Sequence, residues 1–131
     1  MLRMPSPLDE QTEIYVKETM DCGFAVHRAI GPGYNESIYL NAFCVELLTR
    51  NIPFEREVPF TVTYRDRPVG VHRLDLIVRG RVVVELKAVK MLKRVHDAQV
   101  LAYLKASRLP IVLLMNFGGA TLKEGLRRFV L

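Results

Sequence analysis

A chain of 131 residues, half of them hydrophobic and a quarter charged, is long enough to bury a core without a metal or disulfide staple and too apolar for a disordered chain. Only two cysteines occur, Cys22 and Cys44, both in apolar stretches, and no apolar run nears the roughly 18 residues of a membrane span, so a reduced, cytoplasmic setting is expected and a disulfide scaffold, membrane span or export signal is not. The formal charge of +5 is unevenly spread: residues 1–78 hold 8 Lys/Arg and 11 Asp/Glu, net −3, while residues 79–131 hold 11 and 3, net +8, a balance that suits a polyanion such as nucleic acid.

The chain reads as one domain over residues 1–131, with residues 1–7 as a flexible N-terminal tail. A helix is expected over residues 8–30, where Ile14, Val16, Met20, Phe24 and Ala25 recur near a 3.6-residue period. Gly31-Pro32-Gly33 stops it. A second helix fits residues 35–50, with Asn35 as its N-cap and Ile38, Phe43, Leu47 and Leu48 as its buried positions; Asn51 and Pro53 close it. Residues 54–64, 69–78 and 82–89 then read as a three-stranded antiparallel meander, broken by Arg65-Asp66-Arg67-Pro68 and by Arg79-Gly80-Arg81. Pro59 has no amide to donate, which puts the first strand at a sheet edge or gives it a bulge. A third helix is expected over residues 93–107, and the continuous apolar run 109–116 reads as a strand buried on both faces. Gly118-Gly119 breaks that run. A short helix over 122–127 and a last strand over 129–131 complete an α/β plan, with helices on a mixed central sheet.

The third strand carries the chemistry. Val-Val-Val-Glu-Leu-Lys puts two charges into core-strand sequence, and alternation places Val83, Glu85 and Lys87 on one side, with Val82, Val84 and Leu86 on the other. If the preceding hairpin centres on Gly80, residues whose numbers sum to 160 lie opposite one another, and Asp75 meets Glu85. Opposed like charges destabilise a sheet by roughly 0.2–1 kcal/mol, and in apolar surroundings an unpaired charge costs more, so a cation belongs between them. Mg²⁺ or Mn²⁺ fits, because hard cations take carboxylate oxygens and fill their remaining positions with water and substrate phosphate. Lys87, on the same face, is then placed to orient or help deprotonate an attacking water and to stabilise charge on a phosphorane-like transition state. The competing reading is an ion pair in which Lys87 neutralises Asp75 or Glu85 at a wet strand end. A register slip of one residue would also send Glu85 to the opposite face.

Asp75, a turn, and Glu85-x-Lys87 after a hydrophobic strand resemble the core signature of the PD-(D/E)xK nuclease superfamily. Gly33-Tyr34-Asn35-Glu36-Ser37-Ile38-Tyr39 matches the motif that names the GxxExxY family, a bacterial group placed in that superfamily. Arg73-Leu74-Asp75-Leu76, Val84-Glu85-Leu86-Lys87-Ala88, His96-Asp97-Ala98-Gln99 with Tyr103, and Asn116-Phe117-Gly118 are similar to the same family, over about residues 14–131. The resemblance implies a restriction-endonuclease-like core. It also implies a further acidic residue before the sheet, here Glu36, as an additional metal ligand, and polar site residues after it, here Gln99 and Tyr103. Where the superfamily's name has Pro-Asp, this chain has Leu74-Asp75; the proline shapes backbone and binds no metal.

Each supporting residue also has a plainer reading. Glu36 gains about 0.3–1 kcal/mol from the dipole of its own helix, and Tyr39, on its face, is expected to pack beside the site. Gln99, Tyr103 and His96 form a polar stripe that could be the solvated side of a helix, yet Lys93, Arg94 and Lys105 flank it, and that mixture suits phosphate and sugar contacts. His96 is assigned a structural role, His27 and His72 surface or packing roles with no zinc-ligand spacing, and Lys123, Arg127 and Arg128 a solvated basic face. The phosphate-loop pattern is missing, so no nucleotide cofactor is expected. The expected activity is Mg²⁺- or Mn²⁺-dependent hydrolysis of nucleic-acid phosphodiesters, with DNA favoured over RNA. A chain this small has little surface to grip a duplex, which suits a homodimer. The alternatives are a non-catalytic nucleic-acid-binding domain that keeps the nuclease fold, and a structural or protein-interaction module.

Overall fold

A computed structural model describes residues 6–131; the tail expected over residues 1–7 lies, through residue 5, outside the described residues. The elements follow in the order α1 (Glu10–Ile30), α2 (Glu36–Thr49), β1 (Phe54–Tyr64), β2 (Arg67–Val78), β3 (Val82–Lys87), α3 (Arg94–Ser107), β4 (Ile111–Asn116), a 3-10 turn (Lys123–Gly125) and β5 (Leu126–Val130). Asp9 caps α1 by accepting from the Thr12 amide at 2.6 Å, and Asn35 caps α2 as expected, accepting from the Ile38 amide at 3.3 Å. Among the described residues no helix is long and apolar enough to cross a membrane.

The five strands form one mixed sheet in the order β1-β2-β3-β4-β5. The expected antiparallel meander is present, and α3 carries the chain across so that β4 runs parallel to β3. β1 lies at the edge, where the missing amide of Pro59 costs no ladder bond. β4 is buried along its whole length, flanked by β3 and β5 and covered on both faces.

Two apolar clusters sandwich the sheet. On one face Val16, Val26, Phe43 and Leu47 of α1 and α2 pack on Leu76, Val84, Leu86, Leu113 and Met115. On the other, Val100, Tyr103 and Leu104 of α3 pack on Leu74, Ile77, Val83, Val112 and Leu114. The helical pattern differs from expectation in detail. The α2 stripe is Tyr39, Leu40, Phe43, Cys44 and Leu47, whereas Ile38 and Leu48 are 39% and 65% exposed. Its period is helical but centred about one residue away, which leaves those two on the flanks. Ile14 is likewise exposed on α1. The helix expected over 122–127 is a single 3-10 turn closed by the Gly125 amide on the Leu122 carbonyl at 2.9 Å. The last strand starts at Leu126, because Leu126 to Val130 pair with β4.

Candidate active site

The β2–β3 hairpin turns at Gly80, which adopts the left-handed φ of 67°. Its register pairs Leu76 with Val84, Ile77 with Val83 and Val78 with Val82, the sum of 160 that a turn centred on Gly80 requires. The ladder ends there. At the next position the Asp75 amide donates to Glu85 Oε1 at 3.0 Å and the Leu86 amide donates to Asp75 Oδ2 at 2.8 Å, so the two carboxylates meet at the opening of the sheet and take the place of backbone partners.

Asp75 also marks a reversal of the pleat. Ile77 and Val83 face α3, but so does Leu74, while Leu76 faces α1 and α2; the odd-even alternation changes phase between Leu74 and Leu76. Opposite this point on β1, Glu57 holds a φ of 51° between the paired positions Arg56 and Val58. Both strands of the hairpin therefore turn over together at the site.

Glu85 is only 4% exposed. Burial, followed by repulsion from Asp75, pushes its carboxyl up to about 8. Asp75 is raised by burial as well, held back by the Leu86 amide and by Lys87. The chain places Glu36 in the same electrostatic neighbourhood: partial desolvation raises its carboxyl, Asp75 adds to the rise, and Lys87 opposes it. Glu36 thus approaches from the first turn of α2 although its residue surface is largely open to solvent.

Lys87 does not make the ion pair that the plainer reading calls for. Its ammonium donates to Gln99 Oε1 at 2.8 Å, and no ion pair among the described residues joins it to Asp75 or Glu85. Tyr103 sits one turn beyond Gln99, buried, its phenol pushed up to about 12 by burial and by the Glu85 and Asp75 charges. Its hydroxyl lies 3.2 Å from His72 Nδ1. Gln99, Tyr103 and Lys87 therefore meet, while Lys93 and Arg94 lie exposed at the start of α3. His96 accepts from the Lys93 amide at 2.8 Å and so helps close the helix N-terminus.

Tyr39, expected to pack beside the site, lies in the core next to the turn that leads into Glu36. Fully buried, it stacks on Phe117 at 4.9 Å, donates to the Gly31 carbonyl at 2.6 Å and accepts from the Tyr34 amide at 3.2 Å. Its work is to pin the turn that precedes Glu36. Two further residues hold the site in ways the sequence reading did not assign. Asn116 clamps the chain just after Lys87, accepting from the Val89 and Gly118 amides at 2.9 and 3.1 Å and donating to the Val89 carbonyl at 2.9 Å. His72, assigned to surface or packing, is exposed, stacks on Phe60 and lies tilted against Tyr103. A buried-strand asparagine was a readable signal for the first; the reversed pleat, which brings His72 to the α3 side, has no signature in residue order. Lys123, Arg127 and Arg128 are exposed as expected, and on that face Arg127 pairs with Asp97 and Arg128 with Glu13.

The donor set fits a hard divalent ion. Glu85 and Asp75 each spend one oxygen on a backbone amide, and Oε2 and Oδ1 have no protein donor. Among the described residues no buried side-chain oxygen or nitrogen lacks a partner. Among the described residues no three His, Cys, Asp or Glu side chains lie close enough together to hold a metal ion, so Glu36 is not brought beside Asp75 and Glu85 as a third ligand. Two carboxylates with open positions for water and phosphate are what Mg²⁺ ordinarily accepts.

A family model described as the PD-(D/E)XK nuclease superfamily matches residues 13–129. No curated protein and no solved structure matches the chain.

Proposed function

Because the chain belongs to the PD-(D/E)XK nuclease superfamily, we propose that it hydrolyses nucleic-acid phosphodiester bonds, DNA by preference, with Mg²⁺ or Mn²⁺ at Asp75 and Glu85. The observation that carries this reading is the state of Lys87. In a structural ion-pair network the ammonium would pair with the buried carboxylates; here it is turned to the neutral amide of Gln99, and among the described residues neither Asp75 nor Glu85 has a cation within ion-pair distance. A bound divalent ion would acidify a water and polarise the phosphate.

Each residue then has a task. Asp75 and Glu85 would hold the ion, while Asp75 Oδ2 and Glu85 Oε1 fix the two side chains to the backbone. Lys87, held by Gln99, orients the attacking water and stabilises the charge that develops on the non-bridging phosphate oxygens. Glu36 would add a further carboxylate to the electrostatic surroundings of the ion. Lys93 and Arg94 take substrate phosphates beside the site.

We also place the chain in the GxxExxY family, since each named position has a physical reason. Gly33 adopts φ 113°, a conformation costly for a side chain; Glu36 shares the field of Asp75; Tyr39 anchors the turn between them. The test is incubation of purified protein with linear, nicked and branched DNA in Mg²⁺ or Mn²⁺. Cleavage that stops with EDTA and in Lys87→Ala is expected. Survival of every substrate would remove the enzymatic reading.

A further inference from the structure

Between the β1–β2 hairpin and α3 runs a groove made of two adjoining hollows, about 200 and about 450 Å³, whose walls share Val62, Ala102 and Ala106. The alanines are four apart on one helix face, and their small side chains leave the space open. The first hollow ends on Gln99, the residue that holds Lys87. The second opens between Lys105 and Arg108. No carboxylate lines either one.

The wall nearest the site is aromatic. His72 is exposed and stands against Phe60 at 6.0 Å and Tyr103 at 5.0 Å between ring centroids, its ring fixed by the Tyr103 hydroxyl. Cations at the far end, a lysine beyond the near end and, between them, the exposed His72 ring backed by Phe60 and the buried Tyr103 match a charged backbone carrying flat bases. A duplex hides the faces of its bases in its own stack, so the aromatic wall has nothing to offer it; unpaired bases present those faces.

We propose that this groove receives one unpaired strand of nucleic acid and leads its backbone to Lys87. On this inference, which rests on the hydrolytic reading of the site, the substrate is a single strand or the unpaired end of a frayed or branched one.

The test is fluorescence anisotropy in EDTA, so that nothing is cleaved, with a fluorescein-labelled single strand of about 12 nucleotides and its blunt duplex. The single strand is expected to bind at least about tenfold more tightly. Ala106→Leu, which fills the groove from an exposed helix position, is expected to lose about tenfold in strand affinity with duplex affinity unchanged, and Lys105→Glu to weaken strand binding with a shallower salt slope. Equal or tighter duplex binding overturns the proposal. So does wild-type strand affinity in both variants, or binding of neither oligonucleotide, the result for a groove that takes a peptide or a second copy of the chain. Strand preference in a protein that cleaves nothing supports the groove and removes hydrolysis. Cleavage without strand preference does the reverse.

Discussion

With Glu85 held up to about 8 by burial and by Asp75, the ion-free protein keeps a proton there at neutral pH that the unfolded chain, with a carboxyl near 4.5, has released. Between those values the folded state binds more protons than the unfolded one, so stability falls as pH rises from about 4.5 to about 8, then levels off. Asp75 is shifted in the same direction. Thermal melts in EDTA across this window should show a declining midpoint, and Glu85→Gln, which has no proton to lose, should flatten the decline; an unchanged slope in that variant would place the titration elsewhere. At Glu36 the expected effect is on the ion, since a carboxylate in the surroundings of an ion is worth about 10–100-fold in affinity. Glu36→Gln should weaken Mn²⁺ binding by that factor in a calorimetric titration and leave the melting temperature nearly unchanged. These residues were legible because a single turn glycine and a two-residue period suffice to bring Asp75 and Glu85 together, and because Gln99 and Tyr103 lie four apart on one helix. The partner of Lys87 was not. Whether an ammonium turns to a carboxylate or to an amide depends on where α3 docks, which no local pattern states.

The segment that leaves β3 is fixed by contacts from the far side of α3. Asn116 meets both backbone groups of Val89, and Gly118 lies so close that an added Cβ would stand 2.2 Å from the Val89 carbonyl oxygen. Asn116→Ala strands three backbone hydrogen-bonding groups and should cost about 2–4 kcal/mol. Gly118→Ala forces the same strands apart and should cost about 1–3 kcal/mol. Denaturant unfolding measures both; a loss under about 0.5 kcal/mol in either would mean that the clamp does not hold. The strands were legible as elements, including the edge position that Pro59 demands and the double burial of β4. Their ends were less so. Lys123 to Arg128 has helical composition, yet pairing with β4 draws Leu126 onward into the sheet, a tertiary choice that overrides local propensity. The same applies to Ile38 and Leu48, apolar residues whose burial was expected from type and which the docking angle of α2 leaves at the rim.

Across the whole molecule the charge split has two uses. Arg79, Arg81 and Arg128 pair with Glu18, Asp9 and Glu13 at or just before α1, and Arg127 pairs with Asp97, so the acidic first half and basic second half are partly matched to each other. Such exposed pairs add about 0–1 kcal/mol each. Of the 11 basic residues after position 78, these four are engaged, and among the described residues the other seven make no ion pair. Of those seven, Lys90, Lys93, Arg94, Lys105 and Arg108 lie in α3 or in the segments next to its ends, and Lys87 reaches α3 from β3 through Gln99. Nucleic acid is therefore expected along α3 and away from α1. Plots of log affinity against log salt should lose about 0.7 of slope in Arg94→Ala and in Lys105→Ala with a single strand, and keep the wild-type slope in Arg79→Ala. The net charge was legible in the sequence; which cations were already spent was not.

The central claim is that Asp75 and Glu85 form an ion site completed from outside the chain. Calorimetric titration of Mn²⁺ into the protein at pH 7, repeated in buffers of different ionisation enthalpy, tests it directly. Binding is expected to release protons, because Glu85, raised to about 8, must surrender its proton to become a ligand, and Asp75→Asn is expected to abolish it. Absence of binding, or binding that Asp75→Asn leaves intact, would contradict the claim.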